Sequence, residues 1–381
     1  MQTIDIRKLQ PSRVELARLV PRASTDVASA TEVAAALIDE VRAHGERALL
    51  EQAERLDGVH PTRVRVQASE VSDAVQRLVP AVRDALELAI ERVRTATRAQ
   101  VPAPTATMIA PGAEIVQRWR PVNRVGLYVP GGKAVYPSSV VMNAVPAQVA
   151  GVSSIALASP AQQQYGGAVH PTILGAAGLL GIDEIYAMGG AGAIGAFAYG
   201  VPDLDLDPVD IITGPGNIYV AAAKRLVRGV VGIDSEAGPT EILVIADGRA
   251  DPVLVAADLV SQAEHDQLAA AVLVTDSPEL ARAVAIEVER LAASAHHGAR
   301  VREALAGQQS AIVIVADLMV AAAFSNAYGP EHLSIQTEAP SKVLDHIESA
   351  GAIFLGAYLS LIHISEPTRL RRISYAVFCL K

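Results

Sequence analysis

Two short segments carry side chains whose types and spacing suit chemistry. In DLVSQAEHDQ, Gln262 and His265 stand three residues apart at the end of a helical stretch, which puts both on one helix face. An amide oxygen and an imidazole nitrogen so placed can converge on one cation, and zinc accepts such ligands at about 2.0–2.2 Å, usually four in all. The plainer reading is a surface histidine near a helix C-terminus, which the dipole favours when protonated. In Tyr328-Gly329-Pro330-Glu331-His332-Leu333, Gly-Pro sets a turn that places Glu331 and His332 at a chain reversal near a sheet edge. Imidazole titrates near neutrality and a carboxylate can activate water, so the pair suits general acid–base work. A solvated turn is the alternative. The remaining histidines (His44, His60, His170, His296, His297, His346, His363) have no second ligand-type residue at helical spacing and read as surface or packing residues.

Three loops raise the question of a nucleotide. Gly190-Ala191-Gly192-Ala193-Ile194-Gly195 matches G-x-G-x-x-G, follows the strand-like EIYAM and opens a helix. In a dinucleotide fingerprint such glycines let the backbone approach a pyrophosphate at a helix N-terminus, and an acid follows the next strand. Here Asp203, Asp205, Asp207 and Asp210 precede or open the next strand and none ends it, so close helix–strand packing competes with the fingerprint. Tyr128-Val129-Pro130-Gly131-Gly132 and Gly214-Pro215-Gly216-Asn217 each follow a strand, where open α/β sheets bind ligands. Tyr128 can stack on a nicotinamide or adenine ring, or pack. Asn217 can contact a cofactor, or cap the next helix.

The elements that must position these residues alternate. RVGLYV, SSIALAS, EIYAM and VDIIT are short β-type runs separated by helical stretches, and EILVIAD, AAVLVTD, SAIVIVAD and AIFLG repeat the pattern with almost wholly apolar strands. Strand–helix alternation implies parallel sheets with helices on their faces. The fold class is α/β, with two Rossmann-like parallel-sheet domains and an N-terminal helical arm. Residues 1–24 form the arm, 25–123 plus 240–358 a discontinuous domain carrying the metal and acid–base residues, and 124–239 an inserted domain. The helices of 26–98 are expected on the sheet of 240–358. Helices are also expected at 252–265, 277–294, 317–327 and 339–349, with a strand or hairpin arm ending near Val122.

Composition bounds the rest. The 381 residues are 51% hydrophobic and 19% charged, which excludes intrinsic disorder. No apolar run approaches the ~18–20 residues of a membrane span. A net charge of −9 gives no nucleic-acid footprint. A single cysteine, Cys379, excludes a disulfide framework. The N-terminus has no apolar signal region, so the expected location is the cytoplasm. From Leu359 the character changes: Arg369, Arg371, Arg372 and Lys381 against Glu366 give the last 23 residues a net +3, leaving −12 on the preceding 358. That tail has no helical or strand period. It reads as a non-native end from a frameshift, read-through or cloning scar, with a basic native tail as the alternative.

GLYVPGGKAVYPSSVVMNAVPAQVAG, VDIITGPGNIYVAAAKRLV, DSEAGPTEILVIAD, LVSQAEHD, NAYGPEHLSIQT and AGAIFLGAY, in this order and spacing, resemble the histidinol dehydrogenase family. The resemblance covers residues 1–358 and is weaker before about residue 100. It implies a zinc-dependent, cytoplasmic homodimer that oxidises L-histidinol to L-histidine in two NAD⁺-dependent steps through a bound aldehyde, L-histidinal. On this resemblance Gln262 and His265 are zinc ligands and also face the substrate. His332 is the general base, and Glu331 activates the water that attacks the aldehyde. Tyr128 and Asn217 match NAD-contacting positions. Thr240, in GPTE, matches a substrate-contacting hydroxyl usually supplied by serine. The chemistry is consistent: an aldehyde oxidation would normally use a cysteine nucleophile, and Cys379 lies in the suspect tail, so a carboxylate, a base and water must serve.

Three departures stand out. Gly192 replaces a glutamine that contacts NAD, a loss of about 1 kcal/mol, and this substitution creates the G-x-G-x-x-G match. The family's third zinc ligand, an aspartate, would fall at Ser365. The C-terminal helical segment carrying a substrate-contacting glutamate and the fourth ligand, a histidine, is missing, and in the family it crosses the homodimer. With two of four ligands, zinc should bind weakly. The alternatives are a catalytically defective or non-catalytic α/β binding protein, or a relative acting on another amino alcohol.

Overall fold

The computed structural model describes residues 1–9, 11–22, 27–131, 135–236, 239–295 and 297–358. In chain order its strands are β1 (Gln2–Asp5), β2 (Thr105–Ala110), β3 (Ala113–Gln117), β4 (Arg124–Tyr128), β5 (Ser154–Ser159), β6 (Ile185–Ala187), β7 (Ile211–Thr213), β8 (Gly232–Ile233), β9 (Glu241–Ala246), β10 (Ala270–Thr275), β11 (Ala311–Ile314), β12 (His332–Gln336) and β13 (Ala352–Leu355). The helices are α1 (Arg13–Leu19), α2 (Val27–His44), α3 (Glu46–Asp57), α4 (Ala68–Gln76), α5 (Pro80–Arg98), α6 (Pro137–Ala150), α7 (Pro171–Leu179), α8 (Gly190–Tyr199), α9 (Ile218–Val227), α10 (Pro252–Ala263), α11 (Pro278–Ser294), α12 (Gly298–Ala306), α13 (Leu318–Tyr328) and α14 (Pro340–Leu344). The tail 359–381, with Ser365 and Cys379, lies outside the described residues.

The chain divides into two compact units, Met1–Thr25 with Pro239–Lys381, and Asp26–Gly238. In the first, six parallel strands stand in the order β1-β11-β10-β9-β12-β13. Apart from Glu241 and Thr275 at strand ends, β9, β10 and β11 are apolar because helices cover both faces: Val255 and Leu259 of α10, Val284 of α11 and Val301 of α12 on one side, Leu16 of α1, Phe324 of α13 and Val343 of α14 on the other. The arm is more than a helix. Its strand β1 extends the sheet beside β11, a pairing that four mostly polar residues do not advertise.

In the second unit five parallel strands run β6-β5-β4-β7-β8. One face is covered by α8 and α9, with α2 and α3 over them. The other is covered by α6 and α7, with α4 and α5 outside. This corrects the expected domain division: the helices of residues 27–98 belong with the five-stranded sheet, not with the sheet of 240–358. The reason is physical. α8 (GAGAIGAFAY) and α7 (PTILGAAGL) have no polar face, and a helix apolar all round must be covered on all sides. The amphipathic α2 and α4 supply that second layer. Leaving aside β1, both sheets share one order, and it reverses between β4 and β7 and between β9 and β12.

Smaller differences also appear. The segment before Val122 is an antiparallel hairpin of β2 and β3, exposed almost throughout. The stretch after 294 forms a further helix, α12, and α14 is only five residues long. Among the described residues no helix is long and apolar enough to cross a membrane.

Candidate active site

α10 starts cleanly, with Asp251 accepting the Val253 N–H as N-cap and Pro252 in the first turn. It ends at Ala263, so Gln262 stands in the last turn and His265 two residues beyond the helix. The backbone stays tight there: His265 N donates to Gln262 O at 3.2 Å. Gln262 is 1% exposed. Its Nε2 donates to Thr240 Oγ1 at 2.6 Å, while its buried Oε1 has no partner. An orphaned amide oxygen costs free energy unless a donor or cation reaches it. The His265 Nδ1 lies 2.9 Å from Ser261 O. A carbonyl only accepts, so Nδ1 carries the proton and the lone pair is on Nε2, the form a metal-binding imidazole needs.

β9 and β12 are neighbours, with His332 opposite Ile242. Thr240 just before β9 and Glu331 just before β12 therefore meet: Thr240 Oγ1 donates to Glu331 Oε2 at 2.7 Å. The Glu241 N–H donates to the same oxygen at 3.2 Å. His332 Nδ1 lies 3.1 Å from Glu241 O, which again leaves the Nε2 lone pair free. The structure thus joins Gln262, Thr240 and Glu331 in one hydrogen-bonded chain and holds His332 to the backbone of the strand that supplies its second residue.

This cluster lies at the amino-terminal ends of the neighbouring strands β9 and β12. β12 neighbours the edge strand β13, in line with the expected chain reversal near a sheet edge. The cluster's end of the sheet is opposite the one at which open α/β sheets usually bind ligands.

Two supporting residues escaped sequence reasoning. Arg22, on the arm, donates to Tyr328 O at 2.5 Å and to Glu241 Oε1 at 3.3 Å. Its guanidinium lies 5.1 Å from the Tyr328 ring centre. Tyr328 ends α13, just before the Gly329-Pro330 turn, so one side chain ties both segments bearing the cluster. Burial pushes the Glu241 carboxyl above its usual range; Arg22 opposes this and Glu331 adds to it. A lone arginine 219 residues away from Glu241 gives no local signal.

In the other unit, Tyr128 ends β4 and is 4% exposed. Of its two readings the ring packs: it belongs to the core under α8, and its hydroxyl accepts the Gly190 N–H at 3.2 Å. Burial pushes the phenol up to about 12, against the Gly190 bond. Asn217 caps α9, accepting from Tyr219 N and Val220 N at 3.0 and 3.1 Å. Gly192 and Gly195 face neighbouring helices. A Cβ at 192 would lie 2.1 Å from Gln52 Oε1 of α3, and one at 195 would lie 3.2 Å from the Ile38 Cα of α2. The glycine pattern therefore serves close packing, of helix on helix rather than helix on strand.

A cavity of about 640 Å³ is lined by residues that include Glu46, Arg63, Arg65, Glu184 and Asp203, and by none of the candidate metal, acid–base, substrate or NAD residues. Its arginines are engaged, Arg63 with Glu70 and Arg65 with Leu204 O. Among the described residues no group of three or more His, Cys, Asp or Glu is placed to hold a metal.

A sequence model of the family Histidinol dehydrogenase matches residues 20–363. The chain belongs to the histidinol dehydrogenase family. A histidinol dehydrogenase from Leifsonia xyli subsp. xyli is 68% identical over 358 residues, 94% of this chain and 82% of that protein. One from Nocardia farcinica is 54% identical over 93% of this chain and 80% of that protein. The crystal structure of histidinol dehydrogenase from Elizabethkingia anophelis matches with a TM-score of 0.87 at 32% identity, covering 94% of this chain and 81% of that one. Membership in the histidinol dehydrogenase family makes the chain an enzyme of the oxidoreductase class.

Proposed function

We propose that this chain is a zinc- and NAD-dependent enzyme that oxidises L-histidinol through L-histidinal to L-histidine, in the cytoplasm and as a homodimer. One observation supports the reading most. The orphaned Gln262 Oε1 ends a hydrogen-bonded chain that runs through Thr240 to Glu331, beside the His332 imidazole, whose Nδ1 faces the Glu241 carbonyl.

Gln262 through Oε1 and His265 through Nε2 would hold zinc, which when bound polarises and orients the substrate. When bound at the carboxyl ends of β4 and β7, NAD⁺ would supply the hydride acceptor. His332 takes the hydroxyl proton on Nε2. Its Nδ1–H on Glu241 O keeps the ring in the basic tautomer and stabilises the cation that forms. In the second oxidation Glu331 takes a proton from the water that attacks the aldehyde carbon. The bonds from Thr240 and Glu241 to Oε2 fix that carboxylate and leave its other oxygen for water.

Two metal donors among the described residues imply weak zinc binding, and this favours one second reading, a non-catalytic α/β protein that still binds the nucleotide. The test is His332→Asn. The expected result is a loss of turnover of about 10²–10⁴-fold with NADH affinity unchanged. Retained turnover would remove the base assignment. Nucleotide binding without turnover in the unsubstituted chain would favour the second reading.

A further inference from the structure

The loop that follows β7 is closed by an ion pair between a buried lysine and the solvent-accessible Asp234. Lys224, on α9, is 1% exposed. Its ammonium donates to Gly214 O at 2.6 Å, to Asp234 Oδ1, and at 3.5 Å to Ser235 O. Three protons meet three acceptors, the condition under which a buried ammonium is tolerated. Asp234 Oδ2 accepts the Gly214 N–H at 2.8 Å. One ion pair therefore holds both backbone polar groups of a single residue.

That residue is where two strand ends touch. Gly214 has φ +120°, and a Cβ there would lie 1.9 Å from Tyr128 O. No side chain fits, so the loop after β7 lies directly on the end of β4. Three residues further on, Asn217 caps α9. β4 and β7 are the strands between which the sheet order reverses, the place where an open α/β sheet takes a nucleotide at the carboxyl ends of its strands. An apolar pair of equal volume would fill the same space. It would not hold the N–H and C=O of Gly214.

We infer that Lys224 and Asp234 are positioning residues of the dinucleotide site: they lock Gly214 against Tyr128 and thereby set the loop that ends in Asn217. The inference rests on the reading that this crevice takes NAD(H). Neither side chain is assigned contact with the cofactor.

The test is NADH titration by fluorescence, with thermal melting and amide hydrogen exchange, on the full chain and on Lys224→Met, Lys224→Arg and Asp234→Asn. The methionine and asparagine variants should raise the NADH dissociation constant by about 10–100-fold, the range expected when charge-assisted hydrogen bonds are lost. They should also lose exchange protection at Gly214, well below their melting temperatures. The arginine variant, which keeps the charge, should recover part of the affinity. Should Lys224→Met fail to fold, Asp234→Asn carries the test. Folded variants that bind NADH as the parent does would overturn the inference and leave the functional reading intact. A parent chain that binds no NADH would overturn the functional reading, and the inference with it.

Discussion

At the residue scale the account turns on Thr240. Its hydroxyl accepts from Gln262 and donates to Glu331, so one oxygen orients a proposed metal ligand and the proposed water activator together. Thr240→Ser keeps the oxygen and should leave turnover within a few-fold. Thr240→Val keeps the shape, strands the Gln262 Nε2 and leaves Glu331 Oε2 with the Glu241 N–H alone. Steady-state kinetics should show a fall in kcat of about 10–100-fold, the cost of losing the part-buried bond from Gln262 and the charge-assisted bond to Glu331. Equal activity of the two variants would contradict the role. Gln262, His265, Glu331 and His332 were visible as chemistry-bearing types at suggestive spacing. The meeting of Gln262, Glu331 and His332 around Thr240 and Glu241 was not, because i, i+3 spacing constrains one helix and says nothing of a strand nearly 70 residues away. Thr240 was legible only through resemblance. Arg22, Glu241 and Ser261 were illegible because they act through backbone carbonyls or across the chain.

At the element scale, the cluster depends on α10 keeping its place against β12. Asp258, one turn before Gln262 and 1% exposed, accepts from Gln336 Nε2 at 2.8 Å and lies 3.5 Å from Ser334 Oγ. A polar bolt thus joins the helix bearing Gln262 to the strand bearing His332. Asp258→Ala removes an acceptor from a buried amide and should cost about 1–3 kcal/mol, read as a lower urea midpoint at unchanged slope. An unchanged midpoint would show that the bolt is idle. Periodicity found the helices and the apolar strands, but it reports which face is buried and not what covers it. That is why α2 to α5 were attached to the wrong sheet. α7 and α8 held the missing clue, since helices without a polar face demand a second layer. The strands β1 and β2 were missed because edge and hairpin strands lack an apolar run.

At the scale of the whole molecule, buried phenols set a limit at alkaline pH. Burial raises Tyr128 to about 12 and pushes Tyr186 and Tyr328 up as well, from an ordinary value near 10. A group whose folded pKa is raised contributes stability that is fully present below its unfolded pKa. For Tyr128 that contribution is lost as pH rises from about 10 through about 12. Tyr128→Phe should therefore lose less stability than the parent across this interval in denaturant titrations at stepped pH, and an identical slope would contradict the burial argument. The two-sheet plan was legible in the alternation of strands and helices. Their common strand order was not, since order within a sheet is set by crossovers that leave no local mark.

The measurement that bears most directly on the central claim is NADH formation from L-histidinol by this chain, across a zinc titration and with a chelator control. The account predicts turnover that rises with added zinc, vanishes with chelator and yields two NADH for each histidinol consumed. A folded chain that binds NADH yet forms none from L-histidinol at any zinc concentration would contradict it.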